Sequence, residues 1–275
     1  MKKLKFALPF LAGIIFFLGS CSKDNTSAPT FTTVQDDAYA ESIFDNVTSL
    51  TNEAYDLSST NFKSTEGRVF LSDCATVSLD TTAFPRVLTI DFGDTNCLGN
   101  DGRYRRGKIL VSFTGRYRKP GTIITTTFDN YYVNDNQVEG TKAVTNNGFN
   151  DERHMTWTIS VNGVITLANG KGTITWKSQR TREWVKGIDT PHNRGDDVYL
   201  ITGQASGERA NGLKWTRKIT NPLRMELACR FIVSGTVEIK PEGKPMRTLD
   251  FGDGECDNLA TVTVNGKTYT IHLRP

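Results

Sequence analysis

The sequence predicts a mainly β protein: an antiparallel β-meander, barrel or sandwich, with one N-terminal amphipathic helix. Three observations carry this. From about residue 68 onward apolar residues recur with a period of two. Five Asn-Gly pairs, with Asp101-Gly102 beside them, punctuate the same stretch. One segment alone, residues 36–57, repeats its apolar side chains at helical spacing.

The chain opens on Met1-Lys2-Lys3-Leu4-Lys5, a basic run, followed by an apolar run over residues 6–18 that is too short for a spanning helix. Leu18-Gly19-Ser20-Cys21 then resembles the lipobox of bacterial lipoproteins. The resemblance covers only the first ~25 residues. It implies a signal peptide over residues 1–20, cleavage before Cys21, and attachment of fatty acyl chains such as palmitate to Cys21. The following Cys21-Ser22-Lys23-Asp24 is similar to the surface-export signals of Bacteroidota lipoproteins, from which Asn25 departs. The expected address is therefore the cell envelope, lipid-anchored in the outer membrane and facing the periplasm or the cell surface. The membrane is a partner through this anchor alone.

Residues 21–35 are polar and rich in Ser and Thr, and read as a lipid-anchored tether. Fully extended it reaches on the order of 45 Å at about 3.3 Å per residue. In residues 36–57, Tyr39, Ile43, Val47, Leu50, Ala54 and Leu57 form one apolar stripe. Thr33 with Asp36 matches a capping box, and Asp36, Asp37 and Glu41 suit the positive end of the helix dipole. One striped face predicts a helix docked on a sheet.

The strands follow. Met155, Trp157, Ile159 and Val161 alternate with polar residues, as do Ala260, Val262 and Val264, and then Tyr269, Ile271 and Leu273. Asn-Gly pairs supply the positive φ of tight hairpin turns; those at Asn162-Gly163 and Asn265-Gly266 sit between near-ideal strand pairs. About a dozen strands are expected, with sequence neighbours paired. Residues 36–275 thus read as a single helix-plus-β domain.

Four cysteines remain beside Cys21. The segment Leu88–Cys97 is echoed by Arg247–Cys256, each carrying Asp-Phe-Gly-Asp, and each echo has one Cys upstream. A duplicated module closed within itself predicts the pairs Cys74–Cys97 and Cys229–Cys256, near residues 74–97 and 229–256. No pair has the C-x2–4-C spacing of a structural zinc site. The Asp-Phe-Gly-Asp runs read as tight turns in which Asp bonds nearby amides; clustered acids and Asn beside them raise calcium as the rival.

Without Lys2, Lys3 and Lys5 the chain holds 30 Lys and Arg against 30 Asp and Glu. That balance excludes general nucleic-acid binding, which needs a basic excess. Local basic-aromatic segments remain: residues 103–108 continued by 116–119, and residues 177–186. Arg105, Arg106, Arg116 and Arg118 are candidate ligand-binding residues at strand ends, with charge pairing to the acidic helix as the competing role. Trp157, Trp176 and Trp215 fall on apolar phases and suit the core, whereas Trp184 is the candidate exposed platform. No catalytic motif is present, His192 beside Asp196 and Asp197 has no supporting partner motif, and neither a cofactor nor a metal is expected. The expected function is a non-enzymatic outer-membrane lipoprotein with a binding or structural role, meeting glycan or lipid. The alternative is a hydrolase acting on an envelope polysaccharide or other envelope polymer.

Overall fold

Period-two alternation becomes one continuous sheet in the computed structural model, which describes residues 31–59, 69–82, 84–190 and 193–274. The expected signal, Cys21 and His192 lie outside the described residues, as does the tether up to residue 30. The strands are β1 (Thr76–Asp80), β2 (Arg86–Asp91), β3 (Cys97–Leu98), β4 (Tyr104–Phe113), β5 (Ile123–Val133), β6 (Asn136–Phe149) and β7 (Met155–Thr166). After them come β8 (Thr173–Lys186), β9 (Val198–Arg209), β10 (Lys214–Glu226), β11 (Ile232–Pro241), β12 (Arg247–Asp253), β13 (Leu259–Val264) and β14 (Lys267–His272). All pair antiparallel in the order β1-β2-β4-β5 through β14, with β3 held on β4 alone. This is the predicted meander. It is one sheet, so the sandwich expectation falls away, and β1 and β14 do not pair, so the sheet stays open.

The helix α1 (Thr32–Ser59) begins earlier and ends later than its apolar stripe. Thr33 is therefore inside the helix and caps nothing. Its Oγ1 accepts a hydrogen bond from Arg247 on β12 at 3.1 Å. The tether expected up to residue 35 is thus already helix from Thr32. The stripe residues Tyr39, Ile43, Val47, Leu50 and Ala54 are buried as expected. The opposite, acidic face is buried too: Asp36, Asp37, Glu41, Asp45 and Glu53 are each at most 3% exposed. α1 does not lie on the sheet; the sheet wraps around it.

The inward face of the sheet explains how this is possible. It carries cations in phase with its apolar residues: Arg105 on β4, Lys142 on β6, Arg180 and Arg182 on β8, and Arg217 on β10. Glu41 is clasped by Arg180 and Arg217 together. Arg180 also reaches Asp45 at 2.9 Å, and Arg217 reaches Asp37 at 3.0 Å. Asp36 meets Arg274 at 2.9 Å and Arg209 at 3.3 Å. Trp176 and Trp215 both donate from Nε1 to Asp37 Oδ1 at 3.2 Å. Glu53 accepts the backbone amides of Val69, Phe70 and Leu71 at 2.9–3.0 Å. Burial without partners would cost several kcal/mol per ion; each acid here is paired or hydrogen-bonded.

Two expected turns fail to form. Asn162-Gly163 lies inside β7, paired with Thr141 and Gly140 on β6. A methyl group at Gly163 would sit 2.1 Å from Cζ of Phe44, so this glycine is a close-approach site for α1. Asn147-Gly148 is a bulge within β6, where the register against β7 shifts. Asn169-Gly170 and Asn265-Gly266 do form turns, with positive φ at all four residues. A further pair that the sequence reading passed over, Asn134-Asp135, has the same backbone and joins β5 to β6.

Both expected cysteine pairs form: Cys74–Cys97 with Cα atoms 5.8 Å apart and Cys229–Cys256 at 5.7 Å. The two Asp-Phe-Gly-Asp runs have one hydrogen bond in common, the first run leaving the end of β2 and the second lying inside β12 at a register shift against β11. Asp91 Oδ1 accepts from Gly93 N at 2.8 Å, and Asp250 Oδ1 accepts from Gly252 N at 2.9 Å.

Candidate functional site

A cleft opens between one end of α1 and the inner face of β5 to β9. It holds about 950 Å³ of empty space counted out to its mouth. The C-terminal half of α1 supplies Thr48, Thr51, Asn52 and Asp56, and the turn after β4 supplies Tyr117 and Arg118. Lys142 and Asn146 come from β6, Trp157 from β7, and Arg182 and Trp184 from β8. The loop between β8 and β9 closes one side with Thr190, Asn193, Arg194 and Asp197, and Tyr199 follows on β9.

Three rings form an aromatic wall. Trp184 stacks on Tyr199 with centroids 5.8 Å apart and planes at 22°. Trp157 lies 6.4 Å from each of them. The alternation of β7, β8 and β9 brings them together: Met155 pairs with Trp184, and Trp184 with Tyr199. Trp184 is half-buried on this wall rather than on the outer surface, and Trp157 joins it instead of entering the core. Trp176 and Trp215 are core residues as expected.

Arg182 is the most unusual residue of the cleft. Its side chain is buried, with the guanidinium 3.7 Å from the centroid of the Tyr199 ring. None of its three nitrogens has a hydrogen-bond partner. The neighbouring charges are committed. Lys142 Nζ donates to Phe44 O and Thr48 Oγ1. Arg118 and Arg194 both hold Asp56, the former at 2.5 Å. Tyr117 donates to Asn52 Oδ1 at 2.8 Å, and Tyr199 donates to Asp197 Oδ2 at 3.2 Å.

Burial shifts two of these groups toward neutrality. It lowers Lys142 to about 7, against the pull of Asp45 and with help from Arg182. It raises Asp197 to about 6, although Arg194 and the Tyr199 hydroxyl pull the other way.

The four arginines singled out from the sequence do not share a site. Arg105 lies inside the molecule, not at an exposed strand end. It grips Asp101 through two nitrogens at 2.9 and 2.5 Å, and Asn46 at 2.8 Å. Arg106 pairs with Asp135 at 2.5 Å and lies 3.9 Å from the centroid of the Tyr132 ring. Arg116 is exposed. Arg118 alone lines the cleft, beside Trp184. The alternation of β8 already signals what was missed: Arg180 and Arg182 share the phase of Trp176 and Ser178, so they point inward.

Among the described residues, one group could offer three ligands to a metal: Glu152, His154 and Glu183, whose donor atoms lie within 4.8 Å of one another. His154 Nδ1 is 2.7 Å from Glu183 Oε1, which also accepts from Asn150 Nδ2 at 2.9 Å. Asp101 is enclosed by Arg103 and Arg105, which leaves the acids near the first Asp-Phe-Gly-Asp turn unlike a calcium set.

No described helix is long and apolar enough to cross a membrane. The outward residues of β7 and β8, such as Thr158, Ser160, Lys177, Gln179 and Thr181, are polar and exposed. Comparison of the chain with known protein families, characterised proteins and solved structures finds no match.

Proposed function

We propose that this protein is a non-enzymatic, lipid-anchored binding protein of the outer membrane whose cleft holds a glycan unit. The observation that carries the reading is the pair of half-buried rings Trp157 and Trp184, backed by the buried Tyr199, in a cleft interspersed with hydroxyl and amide side chains. A sugar ring presents an apolar face for stacking and a rim of hydroxyls for hydrogen bonds, and this lining offers both. An acyl chain would press hydrocarbon against the unpartnered guanidinium of Arg182, at a cost of several kcal/mol.

Titration of the intrinsic tryptophan fluorescence with mono- and oligosaccharides tests this, since two of the four tryptophans line the cleft. Saturable binding that Trp184→Ala weakens about tenfold or more, with the melting temperature nearly kept, is the expected result. Binding unaffected by Trp184→Ala, or no binding to any sugar, overturns the reading. The anchor has its own test: Cys21→Ala should move the protein from the membrane fraction to the soluble one.

The alternative, hydrolysis of an envelope polymer, draws on Asp197, a carboxyl group held near 6 inside the cleft. The second cleft carboxylate, Asp56, is bound by two arginines, which suits it to structure more than to proton transfer. Turnover of an envelope polysaccharide that Asp197→Asn abolishes while binding persists would favour this alternative.

A further inference from the structure

We propose that the ligand of the cleft is an acidic sugar whose carboxylate is held by Arg182. The inference rests on the glycan reading and names the chemical class of the ligand.

Arg182 is 1% exposed and carries no hydrogen bond on Nε, Nη1 or Nη2. A buried guanidinium without an anion is costly. Other inward arginines have partners: Arg105 has Asp101, Arg180 has Glu41 and Asp45, Arg217 has Asp37 and Glu41, and Arg247 donates to the Thr33 hydroxyl. Arg182 shares their strand phase but lines the cleft instead of gripping α1. Its only described contact of this kind is the face of Tyr199, which fixes the plane of the fork without using its N–H groups.

The surrounding charge selects the sign of the guest. The lining residues include Arg118, Lys142, Arg182 and Arg194 against Asp56 and Asp197. Asp56 is bound by Arg118 and Arg194, and Lys142 is held by the neutral oxygens of Phe44 and Thr48, which leaves Arg182 as the cleft cation with neither an acid nor a hydrogen-bond partner. A fork of parallel N–H groups matches the two oxygens of a carboxylate. With Tyr199 covered by Arg182, the half-buried Trp184 and Trp157 are the rings on which a sugar bearing the carboxylate can lie while its acid group faces Arg182.

The test uses the mature chain and four probes: glucuronate, glucose, glucose 6-phosphate and benzoate, followed by tryptophan fluorescence and calorimetry. Glucuronate should bind at least tenfold more tightly than glucose. Arg182→Gln should remove that preference, costing glucuronate roughly ten- to a hundredfold, the range for hydrogen bonds to a charged group. Because the arginine is unpaired, the substitution should leave the melting temperature unchanged or higher. Arg182→Lys keeps the charge and loses the fork, and should still weaken glucuronate several-fold; this second variant serves if Arg182→Gln does not fold.

Equal affinity for glucose and glucuronate overturns the proposal and spares the glycan reading. So does a preference for glucose 6-phosphate over glucuronate. Binding of benzoate that depends on Arg182, without binding of any sugar, keeps the carboxylate site and overturns the glycan reading. Binding of none of the four probes overturns both.

Discussion

Two side chains in the cleft change charge across the neutral range, and both changes act in one direction on an anionic guest. Lys142, lowered to about 7, gains a proton as pH falls through 7, and Asp197, raised to about 6, does so as pH falls through 6. Each protonation makes the cleft more positive. A carboxylated ligand that remains ionised should therefore bind several-fold more tightly at pH 5 than at pH 8. Calorimetry across that interval checks this, and Asp197→Asn should remove the part of the change near pH 6. Stability follows Lys142 with its own sign. Between about pH 7 and its unfolded value of 10.5, the unfolded chain holds a proton the folded chain has released, so stability rises with pH there. Lys142→Met should flatten that rise in urea melts taken at pH 7 to 9.5. At Gly163 the demand is steric: Gly163→Ala places a carbon against the Phe44 ring and should cost ~1–3 kcal/mol, read from the denaturation midpoint.

The helix is where periodicity says most and misleads most. Its apolar stripe is legible in residues 39–54, and all five stripe residues there are buried. The acidic face looks like a solvated face by the same rule, because a hydrophobic pattern records which residues are apolar and not which are enclosed. The missing half of the information lies on the strands, where Arg180, Arg182 and Arg217 occupy inward phases. Reading both together would have indicated a charged seam between α1 and the sheet. The competing role foreseen for the basic residues, pairing with the acidic helix, is what Arg118 performs with Asp56, and what Arg180 and Arg217, outside the four arginines first singled out, perform with Glu41. Glu41→Gln should therefore be severe. It removes the carboxylate that Arg180 and Arg217 share in a dry interior and leaves each with one remaining acid, Asp45 and Asp37, at about 3 kcal/mol. A urea melt of the variant against the native chain measures it. An exposed pair such as Lys214–Glu208 offers the contrast, and Glu208→Gln should change the midpoint little.

At the scale of the whole molecule, duplication and turn chemistry carried the sequence reading far. The two Asp-Phe-Gly-Asp runs share the same hydrogen bond from the glycine amide to the first Asp, and both disulfides close within their own module. The open sheet was not legible, because closure depends on whether β1 meets β14, a long-range question that alternation does not address. Nor was the cleft, whose lining comes from α1 and five strands and has no motif. Each disulfide loop, of 23 and 27 residues in separation, should contribute about 3–4 kcal/mol in the chain-entropy model. Replacing Cys229 and Cys256 by Ser should lower the melting temperature without dismantling the sheet, as far-UV circular dichroism would show.

The burial of α1 also dictates an order of events in time. Each strand from β4 onward pairs with its sequence neighbour, so the sheet can assemble through local hairpins as the chain becomes available. The helix comes first in the chain, yet its partners lie far downstream: Arg180 is 139 residues beyond Glu41, Arg217 is 176, and Arg247 is 214 beyond Thr33. A nascent α1 must wait, soluble by virtue of its acids, until most of the wrapping has been synthesised. Refolding should accordingly show early strand formation followed by a slower docking step, and Glu41→Gln should act on the second. A chain truncated after β9 would present the acids of α1 to water and the inner cations of the sheet to whatever anion is at hand.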